Sequence, residues 1–359
     1  MFKKSLAAVA VLGAFAANAM AADVTLYGKV DMGLQYQNVD TTAFTGISKE
    51  TDDLKLNSGV GQASRWGIKG TEDLGNGTKV AFVLESKINV DDGTHSGGLF
   101  DREASLAVSS DWGTLMAGRF GAFSTAASKT DILMSRVESF DGGHTGAELV
   151  MFGRQDNAVA YFTPKFAGFQ AAAMYSLKGD NDGAGREGHS DTDRYAGIAV
   201  TYDVGALQTA FGYEQQIRKD TAGETVDQKV ITFGGNYNFD MFKLYAAGQY
   251  FEGAKEVYGY ETAAKDGIEG YGLHVGAKFD ALAGHFDTGI YYVDAEAQET
   301  EGRDGEYFGI AGRYIYNLSK RTNIRTTLAY NEKNWDKNAY THDQEATTYT
   351  AKVSLTHNF

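Results

Sequence analysis

The ionisable residues of this 359-residue chain offer little to catalysis. There is no cysteine, which removes thiolate nucleophiles, thiolate metal sites and disulfides. The seven histidines are scattered and no G-x-S-x-G occurs, so neither a hydrolytic triad nor a histidine metal site is marked. The acidic run "DNDGAGREGHSDTD" lacks the ligand spacing of a calcium loop. No enzyme activity, metal or cofactor is expected. What remains is charge set at regular intervals in extended sequence. Arg65 and Lys69 alternate with Trp66 and Ile68, Glu85 with Phe82 and Leu84, and Arg119 with Met116 and Phe120. Lys29, Arg313, Arg325 and Lys352 stand in the same relation to apolar neighbours. Successive side chains of a strand point to opposite faces, so these charges are expected on one face and the apolar residues on the other. The chemistry open to such a wall is electrostatic. It can hold water and ions and sort them by charge.

The elements that must carry this wall are strands. In "VITFGGNYNF", Ile231, Phe233, Tyr237 and Phe239 oppose Thr232, Asn236 and Asn238. In "YGLHVGAKF", Leu273 and Val275 oppose His274. Sixteen such stretches begin near residues 23, 58, 78, 100, 114, 156, 168, 195, 207, 228, 243, 271, 285, 307, 323 and 347. Short connectors such as "SDWG" and "ALAG" alternate with long polar ones such as "EGAKEVYGYETAAKDGIEG". A soluble sandwich also has one polar and one apolar face, but its strands run about 5–6 residues. Several stretches here keep register for ten or more, which suits tilted strands crossing ~25 Å of hydrocarbon. A sheet in lipid cannot leave a backbone edge open. The closing "YTAKVSLTHNF" is therefore expected to pair with "DVTLYGKVDMGLQY" near the start. The expected fold is all-β, a sixteen-stranded antiparallel transmembrane β-barrel. Residues 1–21 read as a signal peptide, with Lys3 and Lys4 before an apolar run and small Ala19 and Ala21 at the end. Residues 22–359 then form the barrel domain. The net charge of −14 argues against nucleic acid as a partner.

Five stretches carry a family resemblance. They are "DVTLYGKVDMGLQY", "SRWGIKGTEDLGNGTKVAFVLESKINVDDG", "LFDREASLAVSSDWGTLMAGRFG", "GRQDNAVAYFTPKFAGF" and the final Phe359. Together they resemble the trimeric general porins of Gram-negative outer membranes, in the neisserial and β-proteobacterial branch. The likeness is strongest up to about residue 176. It implies a homotrimer in the outer membrane that passes small hydrophilic solutes through a water-filled channel. It also implies that the third long loop, roughly Gly121 to Gln155, folds inward and narrows the channel. Ile132, Leu133, Met134, Val137 and Phe140 suit such a loop, because a solvated outer loop has no need of them.

The resemblance implies a basic wall of Arg65, Lys69, Arg102, Arg119 and Arg154 facing acids Glu85, Asp131, Glu138 and Asp141. Arg102 shares parity with Ala104, Leu106 and Val108, so the alternation alone leaves its direction open and the resemblance turns it inward. Ala160 stands where the family often carries a basic residue, so the family's pore charge is only partly reproduced. Weak selectivity leaning to anions is the expectation. Phe359 resembles the signal read by the barrel-assembly machinery. The acidic outer loops suit divalent cations that bridge lipopolysaccharide. Two other readings stand beside the diffusion channel. One is an adhesive or envelope-structural barrel with a closed lumen. The other is a substrate-specific channel with an aromatic track of Tyr27, Tyr245, Phe251, Tyr291 and Tyr307.

Overall fold

A computed structural model describes residues 23–95, 97–140, 149–178, 192–219, 225–257, 260–261, 266–298, 303–336 and 342–359. The proposed leader therefore lies outside the described residues. The strands are β1 (Asp23–Thr42), β2 (Ser48–Ser58), β3 (Arg65–Gly75), β4 (Thr78–Lys87), β5 (Glu103–Ser110), β6 (Gly113–Gly121), β7 (Arg154–Phe162), β8 (Phe169–Lys178), β9 (Arg194–Val204) and β10 (Leu207–Lys219). They continue with β11 (Thr225–Asn238), β12 (Lys243–Ala254), a small ribbon of β13 (Glu256–Val257) and β14 (Tyr260–Glu261), then β15 (Ile268–Ala281), β16 (Gly284–Ala297), β17 (Arg303–Asn317), β18 (Thr322–Trp335) and β19 (Gln344–Asn358). One short helix, α1 (Met134–Val137), lies between β6 and β7.

Apart from the small ribbon, every strand pairs antiparallel with its neighbours in one sheet, and the sheet closes. β19 returns to β1 in continuous register from Lys29↔Asn358 to Thr42↔Glu345. That pairing covers the edges that β1 and β19 would otherwise leave open to other chains. β1 pairs with β3 over Asp23–Lys29 and with β2 over Met32–Thr42. β2 and β3 thus share one position, and the seventeen strands of the sheet fill sixteen places around the barrel.

The alternation has its expected sense, which inverts that of a soluble protein. Phe233, Leu273 and Val275 are about half exposed, while Thr232 and His274 between them are buried. The polar face looks inward, and the apolar face is left for lipid.

Two expectations about register need correction. The second stretch does not begin near residue 58. β2 begins at Ser48, and the chain breaks between Ser58 and Arg65 before β3 continues. "SKETDDLKLNS" has only Leu54 and Leu56 as apolar residues, both exposed beside Tyr36 and Leu34, and it pairs with the far half of β1. The break is fastened from within. Buried Asp31 accepts the Gly61 N–H at 2.8 Å and the Thr356 hydroxyl at 2.5 Å. On β6 the parity is reversed. Met116 and Phe120 are buried, and Leu115 is the exposed residue. Gly118 has φ +130°, and the register with β7 shifts between Gly118 and Phe120. Arg119 sits inside that shift, so alternation with Met116 and Phe120 does not fix its direction.

Candidate functional site

Glu85 on β4 gathers the first group of charges. Arg102 donates through Nε to Glu85 Oε1 at 2.6 Å, and the Tyr27 hydroxyl donates to Oε2 at 3.0 Å. Arg65 Nε lies 3.9 Å from the same carboxylate. The parity conflict at Arg102 dissolves because the residue precedes β5. Phe100, just before it, has φ +63°, so the chain has not yet entered the strand. Within β5, Glu103 and Ser105 are buried while Leu106 is exposed, as regular alternation requires.

A second pair of arginines joins this group. Arg154 Nε donates to the Arg102 carbonyl at 2.7 Å. Arg119 donates to Asp156 Oδ1 at 2.5 Å and to the Asp101 carbonyl at 2.7 Å. Lys69 Nζ sits 4.9 Å above the Tyr27 ring, a cation–π contact. Lys29 is the cross-strand partner of Arg65. The contiguous strands β1 to β7 thus bring together Arg65, Lys69, Arg102, Arg119, Arg154 and Glu85.

Sequence reasoning missed three acids here. Glu103 is buried and accepts the Ser105 hydroxyl at 2.7 Å. Asp156 is the partner of Arg119, and Asp101 accepts the Lys87 N–H at 2.8 Å. Glu103 was within reach, because it shares parity with Ser105 and opposes Leu106. These acids bring the local charge closer to balance than the arginines alone suggest.

The remaining inward bases differ in setting. Arg313 is fully buried against Asp287, with Nε at 3.0 Å and Nη2 at 2.5 Å from Oδ2. The Phe140 ring covers it, 5.1 Å from the guanidinium carbon. Its charge is matched and shielded. Arg325 is buried and donates to Asn323 Oδ1 at 3.0 Å. Lys352 is half-buried and lines a recess with Gln35, Asn57 and Asp91.

The described residues between β6 and β7, 122–140 and 149–153, make hydrogen bonds to strands β10 to β16. The Ser124 N–H donates to Glu214 Oε1 on β10 at 3.2 Å. Asn236 on β11 donates to the Arg136 carbonyl at 2.8 Å. Gln249 on β12 accepts the Val150 N–H at 2.7 Å. The Ser139 N–H points to His274 Nε2 on β15 at 3.2 Å, and its hydroxyl donates to the Thr288 carbonyl on β16 at 2.6 Å. Gly212 and Gly276 allow this approach, since a Cβ at either would strike Leu133 or Ser139. Ile132, Leu133, Met134, Val137 and Phe140 are all buried, in or beside a cluster that includes Met116 and Phe120. That cover explains why β6 turns apolar side chains inward.

The segment's acids serve the segment itself. Asp131 is half-buried, and its carboxylate accepts the Ser135 N–H at 3.2 Å at the start of α1. Burial pushes its pKa up to about 7, against the pull of the backbone donors Ser135 and Met134. Glu138 is buried and accepts the Leu149 N–H at 3.1 Å. Asp141 lies outside the described residues. The proposed aromatic track is covered, because Tyr245, Phe251, Tyr291 and Tyr307 are all buried and only Tyr27 is half-exposed. Phe359 exchanges backbone hydrogen bonds with Gly28 at 3.0 and 3.1 Å, and its ring lies against that glycine.

A closed antiparallel barrel with an apolar outer face and a charged inner one defines a class, the β-barrel proteins of outer membranes. Within that class, the family model for Gram-negative porins matches residues 7–336, and the chain belongs to that family. An outer membrane porin protein of Bordetella pertussis is 31% identical over 99% of this chain and 100% of its own length. Outer membrane porin protein 32 of Delftia acidovorans is 31% identical over 91% of this chain and 89% of its own. Among solved structures, an anion-selective porin from Comamonas acidovorans superposes with a TM-score of 0.69 at 27% identity, covering 94% of this chain and 100% of that one. The chain is an outer-membrane porin.

Proposed function

We propose that this porin is a general diffusion channel for small hydrophilic solutes and ions, narrowed by the segment from Gly121 to Gln155 and weakly selective for anions. The observation that carries the reading is the group formed by Arg65, Arg102 and Arg154 around Glu85. Charge at a narrow passage sets ion preference. Charges on the outer loops lie beyond a screening length of about 8 Å and count for little there. The net charge of the chain therefore does not decide the sign. Asp101, Glu103 and Asp156 beside the arginines keep the preference weak. The similar Comamonas acidovorans protein is described as anion-selective, which supports the same sign here. The contacts of Ser124, Arg136, Ser139 and Val150 with the wall support a segment that narrows the passage. We also propose a homotrimer, with the outward faces of β1, β3, β4, β5, β6 and β19 at the subunit contact.

The test is conductance in a planar bilayer under a potassium chloride gradient. Stepwise currents with a reversal potential of anionic sign are expected. A barrel that inserts without stepwise current would favour the adhesive or envelope-structural reading. A clear cationic sign would overturn the role given to the arginines. The substrate-specific reading has less support, because four of its five aromatic residues are covered.

A further inference from the structure

We infer a second anion site in this channel, at the short-turn end of the barrel and on the wall opposite the arginine group. It is built on Lys243 and Lys278 and takes small oxyanions, carboxylate or phosphate. The two lysines are direct cross-strand partners on β12 and β15. Like charges directly opposite across a strand pair destabilise it. Among the described residues, no carboxylate lies within ion-pair distance of either. Asp203, on the rim of the same recess, is already engaged. Arg136 reaches both of its oxygens at 3.1 Å, and Lys165 Nζ reaches one at 2.7 Å.

The rest of the recess is shaped around the pair. Both ammonium groups sit 5.5 Å from the centroid of the buried Tyr245 ring, which forms a common floor. Lys243 donates to Gln208 Oε1 at 3.0 Å, which fixes its direction. The recess has a volume of about 590 Å³, and Asn238 and the turns around Gly205 and Asp240 also line it. Asp240 and Asp280 stand exposed on the rim, where water screens them. Asp287, opposite Lys278 on β16, is taken by Arg313, so two ammonium groups that face each other over one aromatic floor break a local rule of sheet pairing. Such breaks are expected where a site is built. An oxyanion between them replaces repulsion by charge-assisted hydrogen bonds. In porin barrels the short turns face the periplasm, so a solute that has passed the arginines meets a second cationic site as it leaves.

The inference rests on the channel reading, and the test separates the two. Wild-type channels are recorded in potassium chloride while succinate, or separately inorganic phosphate, is added on the short-turn side at constant ionic strength. A saturable fall in chloride current is expected. The double variant Lys243→Gln/Lys278→Gln should raise the half-blocking concentration at least tenfold. Lys320→Gln, on a turn at the same end, should leave it at the wild-type value. Block by only one of the two probes supports the site and names its class. If the double variant does not assemble, Lys278→Gln alone removes the repulsion and should raise the half-blocking concentration about threefold. Equal block of wild type and lysine variants, or a conducting wild type without saturable block, overturns the site alone. A wild type that forms no channel overturns the channel reading and the site with it.

Discussion

Glu85 is the residue on which the arginine group depends, since it takes a hydrogen bond from Arg102 and another from Tyr27 and faces Arg65. Removing one partner of a largely buried ion pair leaves the other charge uncompensated. Glu85→Gln should therefore destabilise the barrel by roughly 1–3 kcal/mol, less than a fully buried pair because water still reaches it. The same change should move the reversal potential toward stronger anion preference. An unchanged reversal potential with normal folding would show that the group lies away from the ion path. Asp131 yields a pH prediction of opposite character. Its folded pKa of about 7 lies above the unfolded value near 3.8. The folded state then binds more protons than the unfolded state between those values, and stability falls as pH rises through that window. The docked segment should be firmest at acidic pH, loosen between about pH 4 and 7, and change little above. Amide protection factors around Ile132–Ser135, the intrinsic rate divided by the observed exchange rate at each pH, compared at pH 4.5 and pH 8, read this. Asp131→Asn should flatten the profile, and a wild-type profile already flat would refute the assignment.

At the scale of the element, outward parity makes a prediction with a magnitude. Ile231 and Leu273 are exposed on strands that cross the membrane. Arginine at either should cost about 2–4 kcal/mol near mid-membrane and less toward the interfaces. The fold midpoint after refolding into detergent or lipid measures it, and wild-type midpoints for both variants would mean that the barrel's inner and outer faces have been exchanged. The strands were legible because the period of two is imposed by lipid on one side and water on the other. Where either condition lapses, legibility lapses too. β2 carries only Leu54 and Leu56 as apolar residues, near its end, so nothing marked its start at Ser48. β6 is covered on its inner face, so Met116 and Phe120 look like outward residues when they point in. The same limit applies to the site. Arg65 and Glu85 lie in regular strands, where alternation suffices to bring them to one face. Arg102 lies before its strand and could be oriented only through resemblance. Glu138 and Asp131 belong to irregular chain, where no period operates, and their hydrogen bonds to Leu149 and Ser135 could be seen only in three dimensions.

At the scale of the whole molecule, the pairing of β1 with β19 closes the barrel and makes the strands on either side of it one continuous wall. That wall bears exposed Leu26 on β1 and Leu106 on β5, with Trp66, Ile68, Phe82 and Leu84 less exposed between them. In lipid such a face gains nothing from water exclusion. Association must come from close packing of one surface on another. A ring of three uses two different patches on each barrel and closes on itself, so every copy is equally satisfied. Cross-linking in mild detergent should therefore give a ladder that ends at three. Leu106→Arg, on the proposed contact, should shift the ladder toward one while the separated barrels keep their folded, heat-modifiable migration. Leu273→Arg, on the far side, should instead weaken the single barrel and leave the survivors trimeric. A ladder that stops at one for the wild type would count against the assembly. Equal behaviour of the two variants would place the subunit contact somewhere other than the wall around the β1–β19 seam.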